Sequence, residues 1–189
     1  MKRKGNSNHS SRNAKKSKTS SVKEEDSALY DFFLEQLKDI YWAEKQLVKT
    51  LPKLSKSATT LELREALTHH QTETEKQVMR LEEAFNLLGE KPKTRKCDGM
   101  DGLTREGQHV ISDTEKGSFT RDTAIIMSAQ KVEHYEIATY GGLAELARIL
   151  GKAQVVKLLQ ETLEEEKEAD KKLTAIAESR VNEEAEAEV

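Results

Sequence analysis

The chain has 189 residues, which allows one domain with a sizeable core plus tails, or at most two small domains. With 35% hydrophobic and 34% charged residues, two prolines and nine glycines, it reads as a solvated, mostly helical globular protein, and its one cysteine, Cys97, excludes an intrachain disulfide or a cysteine-built zinc site. The net charge of −3 hides an asymmetry: residues 1–23 hold eight basic residues and no acid, which leaves 23 basic against 34 acidic residues, or −11, for the rest.

The first 26 residues are expected to form a disordered basic arm, because Ser, Asn and Lys dominate and large apolar residues are almost absent. Lys2, Arg3, Lys4, Arg12, Lys15, Lys16 and Lys18 would suit sequence-independent contacts to nucleic-acid phosphates. A solubilising extension explains the same composition, and the arm has no aromatic residue for base stacking. The N-terminus lacks the apolar run of a secretory signal, and no segment approaches the roughly 18 to 20 apolar residues needed to cross a bilayer. A soluble, cytoplasmic protein without a membrane partner is the expectation.

A first helix is predicted from Ser27 as N-cap, with Phe33, Leu37, Ile40, Leu47, Leu51 and Leu54 on one face and Glu44 on the same stripe. Pro52 is expected to bend or end it early. The second follows Thr59-Thr60, aligns Leu63, Ala66, Leu67, Gln77, Leu81, Phe85 and Leu88, and stops at Gly89, with His70 and Glu73 interrupting its apolar face. Residues 90–119 read as a long connection with a short helix around Leu103–Glu115. The third helix, from about Thr120 to Gly151, carries Ala129, Val132, Tyr140, Leu143, Ala147 and Leu150 in phase, with Glu133 and Glu136 on that face. The fourth, from about Lys152 to Glu178, aligns Val155, Leu159, Thr162, Leu173 and Ala177 around Glu166 and Asp170. Residues 181–189 form an acidic tail expected to fray in solvent.

Short turns make each consecutive helix pair an antiparallel hairpin, and one long crossover joins the two hairpins. The expected fold is all-α: a ferritin-like four-helix bundle over residues 27–180, with a short extra helix in the crossover. Residues equally far from an antiparallel turn lie at similar heights. Glu44 and Glu73 lie about fourteen and fifteen positions from the first turn, and Glu136 and Glu166 about fifteen on either side of Gly151, roughly 21 to 23 Å along each helix. Glu133 and Asp170 lie slightly deeper.

Carboxylates gathered at one level cannot all stay charged without a cation, because like charges raise one another's pKa. Two metal ions held by Glu44, His70, Glu73, Glu133, Glu136, Glu166 and Asp170 would resolve the conflict, and this oxygen-rich set with an imidazole suits iron, or else manganese. The competing reading is a proton-sharing carboxylate cluster paired with Lys or Arg. His70 either ligates or is a core histidine satisfied by a neighbour, whereas His69 and His134 fall one residue off their stripes and are expected to be peripheral. Of the run Glu161, Glu164, Glu165, Glu166 and Glu168, phase singles out only Glu166 from a solvated face. Tyr41 and Tyr140 lie one turn from carboxylates and could donate hydrogen bonds to them, or could simply be core tyrosines.

The segments Asp39-Ile40-Tyr41-Trp42-Ala43-Glu44-Lys45-Gln46-Leu47, Gln130-Lys131-Val132-Glu133-His134-Tyr135-Glu136-Ile137-Ala138 and Leu163-Glu164-Glu165-Glu166-Lys167, with Cys97-Asp98-Gly99-Met100-Asp101-Gly102-Leu103, resemble the YciE/YciF ferritin-like stress-protein family. The resemblance covers roughly residues 27 to 180 and leaves the basic arm outside. It implies a ferritin-like bundle, a homodimer, a bacterial stress role and a ferroxidase-type activity. The wider superfamily uses one Glu from two helices and Glu-x-x-His from the other two. Glu44 matches the first-helix Glu, and Glu133-x-x-Glu136 resembles the doubled acidic helix of rubrerythrin-like proteins. His70-x-x-Glu73 reverses the usual order, and Glu166-x-x-x-Asp170 lacks the histidine.

The leading functional expectation is a di-iron or di-manganese carboxylate protein of the stress response that handles Fe(II), oxygen or peroxide. The alternative is a non-catalytic dimeric helical stress protein whose basic arm binds DNA, as lysine-rich tails do in Dps-like proteins. Cys97 is expected to be a buried or half-buried structural thiol.

Overall fold

Four long amphipathic stripes have to be covered at once, and a bundle covers them. The computed structural model describes residues 1 and 27–188, and every regular element among them is helical. The candidate phosphate contacts of the basic arm lie outside the described residues.

Helix α1 spans Ala28–Ser57, capped by the Ser27 hydroxyl, which accepts from the Tyr30 N–H at 3.1 Å. Phe33, Leu37, Ile40, Leu47, Leu51 and Leu54 are buried along it. The early end expected at Pro52 does not occur. Only the Val48 carbonyl loses an intrahelical donor there, and Leu51 and Leu54 anchor the last turns to the core on either side of the proline. Helix α2, Leu61–Leu87, starts at the Thr60 cap and ends at Gly89, whose φ of 75° is the left-handed conformation that stops a helix.

Helix α3, Asp98–Asp113, occupies the crossover and is longer at its N-terminus than the sequence suggests. The Cys97 sulfur caps it by accepting from the Met100 N–H at 3.3 Å, and Met100 is fully buried. Helix α4 spans Phe119–Ile149 and α5 spans Ala153–Ile176, separated by Gly151 with a φ of 67°.

The acidic end does not fray as expected. The chain continues as a π-helical turn over Ala177–Val181 and a short helix α6, Asn182–Glu186. Val181 is 1% exposed, and the Glu188 carboxylate accepts from the Phe119 and Thr120 N–H groups at 2.6 and 2.9 Å. Those N–H groups are unpaired donors at the start of α4, where negative charge is favoured.

Around the bundle, α1 packs on α2, α2 on α5, α5 on α4 and α4 on α1, with α3 lying against both α1 and α4. This is the all-α arrangement of two hairpins and a crossover helix expected above. Among the described residues no helix is long and apolar enough to cross a membrane.

Candidate metal centre

The interior stripes of α1, α4 and α5 carry buried acids at one level, and that of α2 carries a histidine there. Glu44 from α1, Glu133 and Glu136 from α4 and Glu166 from α5 are between 0% and 2% exposed, and His70 from α2 is 6% exposed. One ligand atom from each of His70, Glu133, Glu136 and Glu166 can be chosen so that all lie within 4.8 Å of one another. His70 bridges helices within this group: its Nε2 is 3.5 Å from Glu133 Oε1 and 3.7 Å from Glu166 Oε2.

Glu44 joins from the α1 side, and the buried Tyr140 hydroxyl donates to its Oε1. On the α5 side the Gln77 amide donates to Glu166 Oε1 and, at 3.1 Å, to Glu165 Oε2. The remaining oxygens have no such support. Glu44 Oε2, Glu133 Oε2, both oxygens of Glu136 and Glu166 Oε2 find no hydrogen-bond donor unless the carboxyls share protons, and His70 Nδ1 is likewise unpartnered.

Those surroundings raise every acid in the group. Burial pushes the Glu44 carboxyl up to about 8, aided by the charge of Glu166 and opposed by the Tyr140 hydrogen bond. Burial likewise raises Glu133 to about 8, opposed by its contact with Glu166 and reinforced by Glu44, Asp170 and Glu73. Glu136 is raised well above the carboxylate range by burial and by the charges of Glu44, Glu166 and Glu133. Glu166 is raised by burial, with His70 pulling the other way. Burial alone would lower His70, but Glu73, Glu166 and Glu44 outweigh it and raise its pKa. At 3.7 Å, the Nδ1 of His70 is too far from Glu73 for a hydrogen bond, so that pair interacts through charge.

The other predicted residues stand further out. Glu73 is half-buried beside His69, whose Nδ1 lies at 3.1 Å, and the imidazoles of His70 and His69 hold its carboxyl below the ordinary range. Asp170 accepts from Gln130 at 3.2 Å and lies 3.3 Å from the exposed His134, outside the group of four. Tyr41 turns away: its hydroxyl donates to Glu82 at 2.6 Å, because Glu82 on α2 faces it across the first hairpin.

Phase alone gave no role to Arg80 or Glu165. The Arg80 guanidinium donates to Thr162 at 2.7 Å and to both oxygens of Glu165 at 2.8 Å, and it also reaches Glu161 at 2.9 Å. This clamp closes the α2–α5 seam next to Glu166, and the only sequence signal for it was a basic residue one turn beyond Gln77. Cys97 is buried, with its sulfur 2.9 Å from the Tyr135 hydroxyl, and burial raises its pKa.

These residues fit a metal better than a closed ionic cluster. Among the described residues no lysine or arginine makes an ion pair with Glu44, Glu133, Glu136 or Glu166; Arg80 goes to Glu161 and Glu165 instead. Unpartnered carboxylate oxygens and one imidazole form an oxygen-rich donor set without thiolate that could hold a metal ion.

A family model described as Domain of unknown function (DUF892) matches residues 28–186. Protein YciF of Escherichia coli (strain K12) is 47% identical over 157 residues, covering 82% of this chain and 94% of that protein. The crystal structure of the E. coli stress protein YciF superposes with a TM-score of 0.78 at 46% identity, covering 82% of this chain and 97% of that one. The structure of YcfI from Rhodopseudomonas palustris gives a TM-score of 0.76 at 42% identity, over 78% and 94% of the two chains. A Xanthomonas campestris protein with 21% identity and a TM-score of 0.63 shares the fold.

Proposed function

The chain belongs to the DUF892 family, and from that premise we propose that its bundle is a carboxylate metal centre, holding two iron or manganese ions and serving a stress-protective oxidation of Fe(II) by oxygen or peroxide. The observation that carries this reading is the set of five unpartnered, buried carboxylate oxygens around His70 without a lysine or arginine ion pair among the described residues. An ionised carboxylate loses several kcal/mol on leaving water, on the order of magnitude of a whole protein's stability, unless something charged replaces that water. The likeness to a protein described as a stress protein supplies the setting.

Glu133, Glu136, Glu166 and His70 would hold one ion, with Glu44 and Glu73 adding oxygens for a second. Bound metal would supply the electron-transfer capacity that no side chain in this core has. The chain's own residues do the rest. Tyr140 fixes the Glu44 carboxylate, and Gln77 fixes Glu166, so both present their free oxygens inward. Protons held by the raised carboxyls must leave as ions bind, which couples loading to pH.

The test is metal content after purification and after anaerobic Fe(II) loading, followed by the rate of Fe(II) oxidation with oxygen and with peroxide. Wild-type protein should retain metal and accelerate oxidation, and Glu136→Gln should lose both while remaining folded. A folded wild type that stays metal-free under Fe(II) excess overturns the proposal.

A further inference from the structure

The buried group reaches the surface along the same α2–α5 seam that the Arg80 clamp closes on one side. On the other side of Glu166 the seam opens into a small cavity lined by Ala66, His69, His70, Glu73, Glu133 and Ala169, with Lys172 at its rim. Its floor is chemically distinctive. His70 and Glu133 are 6% and 2% exposed, and each keeps an unpartnered atom, Nδ1 and Oε2. At the mouth the His69 side chain is 63% exposed and pairs with Glu73, which is 24% exposed. Neutral and anionic ligand types therefore run inward without a break, from His69 through Glu73 to His70 and Glu133.

The cavity volume of about 20 Å³ is close to the room one water molecule needs. A cavity of that volume has room for one water molecule or a largely dehydrated ion and not for an organic reductant. We propose that this α2–α5 opening is the port through which divalent cations enter the centre, with His69 and Glu73 as the transfer ligands that replace an incoming ion's water. The proposal rests on the metal reading above and concerns the route, not the occupancy. Ligand exchange at His69 and Glu73 shortens the time an ion spends unsolvated, while the Lys172 ammonium opposes its approach. The Arg80 clamp makes the route one-sided, since four hydrogen bonds would have to break to admit an ion there.

The experiment mixes the metal-free full-length chain with Co(II) and follows depletion of free cobalt with a fluorescent indicator, then measures final stoichiometry. Ala169→Leu, which fills the cavity without altering a charge, should load roughly tenfold more slowly to the same final content. His69→Ala should also slow loading, and Lys172→Gln should speed it. Ala138→Leu, in the separate groove between α1 and α4, is the control and should load at the wild-type rate. Thermal melts of each metal-free variant show whether the fold is kept, and Lys172→Gln, on an exposed side chain, tests the route even if Ala169→Leu is unstable. Wild type that loads while His69→Ala and Lys172→Gln match its rate overturns the port alone. Wild type that takes up no cobalt overturns the metal reading, and the port with it.

Discussion

Glu136 is the residue whose substitution separates fold from function most cleanly. Both its carboxylate oxygens are buried without a donor, and its neighbours Glu44, Glu166 and Glu133 repel its charge. In the metal-free chain the carboxyl therefore costs stability, and Glu136→Gln should raise the urea-unfolding free energy of metal-free protein by about 1 to 3 kcal/mol at neutral pH. A loss of stability instead would show that the acid is held by something structural. The stripes made this group legible, because phase put Glu44, Glu133, Glu136, Glu166 and His70 on faces that the structure buries. Phase could not show direction at the edges of a stripe. Tyr41 and Asp170 share heights with the group but spend their polar atoms on Glu82 and on Gln130 and His134. Arg80 and Glu165 were hidden for the opposite reason, since a long charged side chain can lie along a seam from an off-stripe position.

At the level of helices, a contact at one end of the bundle helps to tie the two hairpins together. Asp122, fully buried in the first turn of α4, accepts from the Thr59 N–H at 2.6 Å and the Thr60 N–H at 2.8 Å, at the turn between α1 and α2. The hairpins are thereby set at a fixed relative height, and that height decides whether Glu44 and Glu136 meet. Asp122→Ala leaves two turn N–H groups without this partner and should cost about 2 to 3 kcal/mol in urea unfolding. Asp122→Asn, which retains one acceptor, should cost less. Equal stability of all three proteins would show that water replaces the carboxylate freely. Helix starts at Ser27 and Thr60 and stops at Gly89 and Gly151 could be read from cap chemistry, whereas Pro52 and the acidic end could not. A proline's effect depends on the packing of Leu51 and Leu54, and the fate of residues 181–188 on donors supplied by α4, far away in sequence.

For the whole molecule the buried acids set how stability follows pH. An unfolded chain ionises its carboxyls near the ordinary value of 4.5, whereas Glu44 and Glu133 in the metal-free bundle hold their protons until about 8. Between those limits the folded state binds more protons than the unfolded one, so stability falls as pH rises. His70, also raised, acts in the same direction, and Glu73, lowered but half-buried, opposes it below its ordinary range. Urea midpoints of metal-free protein should therefore drop from pH 5.5 to pH 8.5, with Glu44 and Glu133 each contributing on the order of 3 kcal/mol to the loss in unfolding free energy. A flat or rising profile would mean that these carboxyls are ionised in the folded core. Metal should reverse the slope. Ligation requires the same carboxyls without their protons, so ion affinity increases over the interval in which the empty bundle weakens, and the loaded protein gains stability from every ion it binds. One set of residues then produces opposite pH dependences in the two forms. A closed structural cluster would give only the first.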